Sequence, residues 1–262
     1  VLTKIDFFDL NNKQRGSFDV KTNNPYKPET YKPFLSEAYM DVSRSIIDKG
    51  AHPDYDWHKN VRQYATWVSM EVNTECETVA LGYFLQALGE DRTLLGILAT
   101  FILLDNRGKE IARFENMEDI FFGQGLMTCD QKYFCLKYGG AFTENSEMMY
   151  NERLRIYDIQ KKKIIYEWEL PQSDQFQSTP QEKKGGWVWI IKSSSPNGAD
   201  QGRGEIPTFI AFDLPNRLIY TSPEDTRLPY VRSFTQDGFV IQDQRTKAFE
   251  QIWYKDWQTK KF

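Results

Sequence analysis

Histidine is almost absent from this chain: two residues in 262, His52 and His58. With so few imidazoles to serve as a base, and no G-x-S-x-G elbow, nucleophilic catalysis has little to work with. Cysteine is nearly as scarce. Cys76, Cys129 and Cys135 cannot all pair within one chain, and the step of six from Cys129 to Cys135 is not a metal-ligand spacing. They read as three reduced core thiols of a cytosolic protein. Long apolar runs are missing too. The longest, Leu94–Leu104, is about half of what a membrane span requires. There is no basic excess either, and a net charge of -4 with a pI near 5.4 argues against a dedicated nucleic-acid binder. The first residues, VLTKIDFFDL, carry no basic n-region and no apolar h-region, so they do not read as a signal peptide. A cytoplasmic location is expected, although a leader removed from a secreted or periplasmic form would leave no trace.

What the chain does have is aromatics, at 15%, and a recurring local pattern. RLRIYDIQKKKIIYEWELP, from Arg153 to Pro171, alternates apolar and polar residues on both sides of a polar QKKK, which predicts a hairpin. Four other stretches echo it, starting at Lys4, Phe101, Phe209 and Phe239. Each is an apolar run, an Asp, a short basic turn and a second apolar run. The aspartates Asp9, Asp105, Asp158, Asp213 and Asp243 read as turn formers, because Asp accepts hydrogen bonds from backbone just beyond it. Asp105 to Asp158 is 53 residues and Asp158 to Asp213 is 55. A period of roughly 40–55 residues, with about four short strands in each, is the signature of a propeller blade.

The expected fold is therefore all-β and mainly antiparallel: an irregular β-propeller-like repeat of about four to five blades with one short helical insertion. The alternative is a twisted β-sandwich. The whole chain, 1–262, is expected to form a single domain. Residues 1–20 would be a hairpin closing the ring, 21–60 a Pro-rich connector and helix, and 61–262 the blades. The helix is predicted over Ser36–Lys49, where Leu35, Tyr39, Val42, Ile46 and Ile47 draw one face and Gly50 stops it.

Candidate sites are few. His52, Asp54, Asp56 and His58 share one face if the segment is extended, and two imidazoles with two carboxylates could hold zinc or another divalent ion. The competing reading, which is preferred, is a polar surface loop around Pro53 with no cofactor. Ser193, Ser194 and Ser195 fall in a Gly- and Pro-containing stretch that reads as a mobile loop. Gly202-Arg203-Gly204 and Gly123-Gln124-Gly125 do not extend to a phosphate-binding fingerprint. Glu71, Glu75 and Glu77, then Glu115, Glu118 and Asp119, are numerous enough for a hydrolase pair, but charged residues at turns are the ordinary expectation. Trp187 and Trp189 alternate with Val188 and Ile190 and so should face the same side. Tyr31, Tyr55, Trp57 and Arg203 lie in Pro- or Gly-rich loops and are the expected exposed anchors.

With no catalytic motif, the chain reads as a non-catalytic protein-binding module, with no nucleic-acid or membrane partner. In general character, acidic and motif-poor, it looks similar in outline to bacterial immunity proteins that block a cognate toxin. That resemblance implies a toxin or effector as partner. The rival is a carbohydrate-active enzyme or lectin using rim carboxylates and aromatics.

Overall fold

The computed structural model describes residues 2–26, 63–88, 94–117, 120, 122–144, 147–171, 174–176, 178–183, 186–194, 206–223, 231–234, 238–242, 246–253 and 257–262. Among these residues every regular element is a strand, nineteen in all. The expected helix at Ser36–Lys49 lies outside the described residues, as does most of the Pro-rich connector.

The strands fall into five sheets, none of which closes on itself among the described residues. Among the described residues, strands β1 (Lys4–Phe8) and β2 (Gln14–Asp19) pair only with each other. Strands β3 (Gln63–Asn73), β4 (Thr78–Leu88), β5 (Leu94–Leu104) and β6 (Glu110–Met117) follow one another as a meander. So do β7 (Phe122–Met127), β8 (Tyr133–Glu144), β9 (Glu147–Asp158) and β10 (Lys163–Glu169). The fourth sheet holds β11 (Asp174–Phe176), β12 (Gln181–Lys183), β13 (Trp187–Ser194), β14 (Ile206–Asp213) and β15 (Leu218–Thr221). The fifth holds β16 (Val231–Phe234), β17 (Gly238–Gln242) and β18 (Phe249–Trp253). The chain then returns to the fourth sheet, where β19 (Gln258–Lys261) pairs with β15. The defined registers are antiparallel throughout, so the fold is all-β and antiparallel as expected.

All five hairpins read from the Asp pattern are present: β1–β2, β5–β6, β9–β10, β14–β15 and β17–β18. Four of the five aspartates make their turns by the expected bond, and Asp243 lies outside the described residues. Asp9 Oδ1 accepts from the N–H groups of Asn11 and Lys13 at 2.8 and 2.9 Å. Asp105 Oδ1 accepts from Arg107 and Lys109 at the same two distances. Three residues after each Asp the chain enters the left-handed region, at Asn12 (φ 59°) and Gly108 (φ 77°). Asp158 and Asp213 cap turns one residue longer, accepting from Lys161 and Asn216, with Lys162 and Arg217 at positive φ. In each turn the carboxylate satisfies backbone N–H groups that the turn leaves exposed.

The chain divides into two compact units. The first comprises 1–72, 78–124 and 138–151. At its centre the β4–β5 pair sets Leu81 opposite Ile102 and Leu85 opposite Leu98. This face packs with Phe7, Phe18, Val20 and Tyr26 of the N-terminal segment. The opposite face carries a stack of Trp67 on Phe84 (5.1 Å), with Phe101 edge-on at 5.7 Å. Gly82 leaves room for those rings, since a Cβ there would sit 2.8 Å from both Phe84 and Phe101. Both faces being covered explains why these two strands read as unbroken apolar runs instead of alternating. The β1–β2 hairpin lies directly on the 105–109 turn: a Cβ on Gly16 would collide with the Arg107 carbonyl, and one on Gly108 with the Phe7 ring.

The second unit comprises 73–77, 125–137 and 152–262. Its β13–β14 pair is also covered on both faces. Val188, Ile190, Ile210 and Phe212 pack with Leu154, Ile156 and Leu170. Trp189, Phe209 and Ala211 turn the other way, toward Phe239, Ile241 and Trp257. Trp187 packs with this second group, so Trp187 and Trp189 do share a face. Ser193 and Ser194, expected in a loop, are instead the end of β13, paired with Pro207 and Ile206. The Gly-Pro content that suggested a loop belongs to the residues following them.

Candidate functional site

Three short segments of the second unit meet around one buried carboxylate. The turn after β3, Asn73–Glu77, is closed by hydrogen bonds from the N–H groups of Cys76 and Glu77 to the Asn73 carbonyl, with Glu77 at φ 59°. Asn73 Oδ1 also accepts from the Glu75 N–H at 3.1 Å, the asparagine version of the aspartate turns. The turn after β7, Thr128–Tyr133, is closed by Thr128 N–H to Tyr133 carbonyl (2.9 Å) and by Asp130 on the Lys132 N–H (3.1 Å). These two turns carry Cys76 and Cys129, which form a disulfide with Cα atoms 5.5 Å apart. The expectation of three reduced thiols is thereby corrected. Only Cys135 is free, and it is fully buried, with burial pushing its thiol well above the ordinary range. The pairing escaped the sequence because the partners are 53 residues apart, and only the folding of two turns side by side joins them.

The third segment is β12, which carries Glu182, 5% exposed. Glu182 Oε2 accepts from Asn73 Nδ2 at 2.5 Å and from the Cys129 N–H at 2.8 Å. Its Oε1 receives no hydrogen bond from the described residues. Asn73 Nδ2 also approaches the Met127 carbonyl (3.0 Å) and Cys129 Sγ (3.7 Å), so this one amide ties both turns to the carboxylate. Burial raises Glu182 from its ordinary 4.5 to about 7, and the bonds from Cys129 and Asn73 offset only part of that. The two sulfurs and the carboxylate lie within 4.8 Å of one another. Chemically this is a disulfide with a carboxylate oxygen donor beside it.

Neither Glu182 nor Asn73 stands out in the sequence. Glu182 sits in a polar QEKK run that looks like loop, and Asn73 looks like an ordinary turn residue. A signal was nonetheless present. Cys76 to Cys129 is 53 residues and Cys129 to Glu182 is 53 again. That is the Asp105–Asp158 step, so three chemistry-bearing residues recur at one position of the repeat.

No protein-family model and no curated protein matches this chain. Among solved structures, it is similar to the beta-propeller domain of the Trilobed protease from Pyrococcus furiosus, described as having an open velcro topology. That likeness covers 73% of this chain and 71% of the other at 10% identity, with a TM-score of 0.25. So weak a superposition leaves the fold to be argued from this chain's own strands.

Other residues singled out from the sequence fall elsewhere. His52, Asp54, Asp56, His58, Tyr31, Tyr55, Trp57 and Arg203 lie outside the described residues. Glu71 accepts from Gln124 Nε2 at 3.0 Å, and Glu115 is an exposed residue of β6 within 3.9 Å of Arg113. Gly123-Gln124-Gly125 is part of β7 and no phosphate cradle. A separate aromatic feature stands on β18. Phe249 and Trp253, 66% and 45% exposed, share the face of that strand opposite Ile252, which turns inward to the Phe239–Trp257 group. Among the described residues β18 pairs with β17 and is the last strand of its sheet.

Proposed function

We propose that the chain is a non-catalytic protein-binding module built on a β-propeller-like repeat. The architectural part is supported by two four-stranded meanders in succession and by the convergence of Cys76, Cys129 and Glu182. Residues one repeat apart come together near a common axis when sheets are arranged radially, and a sandwich gives no reason for it. The functional part rests on β18. A strand whose outer face shows Phe249 and Trp253 presents two large exposed rings side by side, the kind of anchor that dominates partner binding. Tyr31, Tyr55, Trp57 and Arg203 belong to the same proposal as loop anchors. Within the binder class, the acidic and motif-poor character supports an immunity-type inhibitor that neutralises a cognate toxin.

The test is capture of a partner by the tagged full chain, followed by substitution. Phe249→Ala with Trp253→Ala should weaken the captured complex by roughly thirtyfold, the cost of a true hot spot. Capture indifferent to these changes and to the loop anchors would sink the binding reading. So would glycan hydrolysis that a single Glu→Gln change abolishes.

A further inference from the structure

We propose that Cys76, Cys129 and Glu182, once the disulfide is reduced, form a binding site for a zinc-class divalent cation. The inference is independent of the binding proposal above and concerns a different part of the chain. Its first ground is the donor set. Two sulfurs and one carboxylate from three separate segments lie within 4.8 Å of one another. A tetrahedral zinc ion with bonds of about 2.3 Å to sulfur and 2.0 Å to oxygen needs donors about 3.5–3.8 Å apart, with one position left open for water. Side-chain rotation of the two cysteines supplies that separation once the S–S bond is gone.

The second ground is Glu182 itself. Glu182 helps to join the two turns through Oε2, but a buried carboxylate is costly unless its remaining acceptor capacity is paired as well. Here both hydrogen bonds reach Oε2, while Oε1 receives none from the described residues. The carboxylate is thus oriented by one oxygen and offers the other. Asn73 and the Cys129 N–H act as the outer groups that hold a ligand in place. A third ground is the 53-residue step between successive donors, which puts a ligand from each of three repeats at the same position.

The chemistry balances as follows. A dithiol reductant delivers two electrons and two protons to the Cys76–Cys129 bond and is itself oxidised to a disulfide. Binding of the cation then releases the two thiol protons to solvent, leaving two thiolates and one carboxylate on the metal. A disulfide oxidant that takes two electrons from the two thiolates, and is itself reduced to a dithiol with two protons from solvent, reverses this and expels the ion. The site therefore exists in only one redox state.

To test it, the full-length protein is reduced with a phosphine, stripped of metal with oxygen excluded, and titrated with cobalt and then zinc. One equivalent of cobalt should produce a thiolate-to-metal charge-transfer band that one equivalent of zinc abolishes. The oxidised protein, which keeps its fold, should show no band. Cys76→Ser with Cys129→Ser should show none, and Glu182→Gln should bind roughly tenfold more weakly or worse. His52→Ala with His58→Ala should bind as the parent does. Absence of stoichiometric binding by the reduced parent overturns the proposal. Binding that persists in the oxidised protein, is unchanged by Glu182→Gln, or disappears with the two histidines overturns it as well.

Discussion

The β4–β5 hairpin and the Asn73–Cys129–Glu182 cluster hold their surroundings together by opposite means. In the hairpin, Leu81, Leu85, Ile102 and Leu104 are buried with little that is directional: their contacts are apolar, numerous and individually small. In the cluster, one disulfide, one amide and one carboxylate do the joining, and each depends on its partners' positions. Apolar burial is proportional to area and tolerates local error, whereas a buried polar group left without its partner is penalised in full. The second unit repeats the polar device. Lys137 Nζ donates to the Phe176 carbonyl at 2.9 Å and lies 3.6 Å from Glu152, whose carboxylate accepts the Phe176 N–H. Lys192 of β13 meets Asp174 of β11, the strand that also carries Phe176, at 2.6 Å.

The comparison can be broken from either side. Phe101→Ala, which removes a fully buried ring packed on Phe84, should cost about 3–5 kcal/mol in chemical denaturation. A cost under 1 kcal/mol would mean that the first unit is not held by its apolar centre. Cys76→Ser with Cys129→Ser should cost about 2–4 kcal/mol, given the 53-residue loop the bond closes. If the parent protein loses as much on reduction alone, the effect belongs to the cross-link and not to the serines. Asn73→Ala should cost about 1–3 kcal/mol, because it strips Glu182 and the Met127 carbonyl of a shared donor.

A subtler prediction concerns pH in the oxidised, metal-free protein. Glu182 holds its proton more tightly folded, at about 7, than unfolded, at 4.5. Between those values the folded state keeps a proton that the unfolded state has lost. Stability from this group is therefore complete below about 4.5 and declines as pH rises through 7. Glu182→Gln should flatten that decline in Tm between pH 5 and 8, relative to the parent. An unchanged slope would mean that the carboxylate is not desolvated as described. The smallest effect is expected on β18, where Phe249→Ala should shift stability by no more than about 0.5 kcal/mol, since the ring is exposed.

The same contrast explains what could be read from the sequence. Hairpins were legible because an Asp that caps its own turn, followed by a residue at positive φ, is a local event written in consecutive residues. The apolar strands β4 and β5 were legible for the same reason, and so was the shared face of Trp187 and Trp189. The Cys76–Cys129 bond and the role of Glu182 were not. They depend on which turns lie side by side, a property of strand order and not of neighbouring residues. The 53-residue recurrence was the one trace of it in the chain. Ser193 and Ser194 failed differently: β13 continues past the last apolar residue, held by backbone pairing to Ile206 and Pro207.

Whether the two turns meet at all is decided most directly by non-reducing peptide mapping. The native protein would be alkylated, unfolded, digested and analysed by mass spectrometry. A single linked pair joining the peptides of Cys76 and Cys129 is predicted, with Cys135 unlinked and alkylated only after unfolding. A Cys129–Cys135 link, or three thiols modified before unfolding, would contradict the arrangement around Glu182.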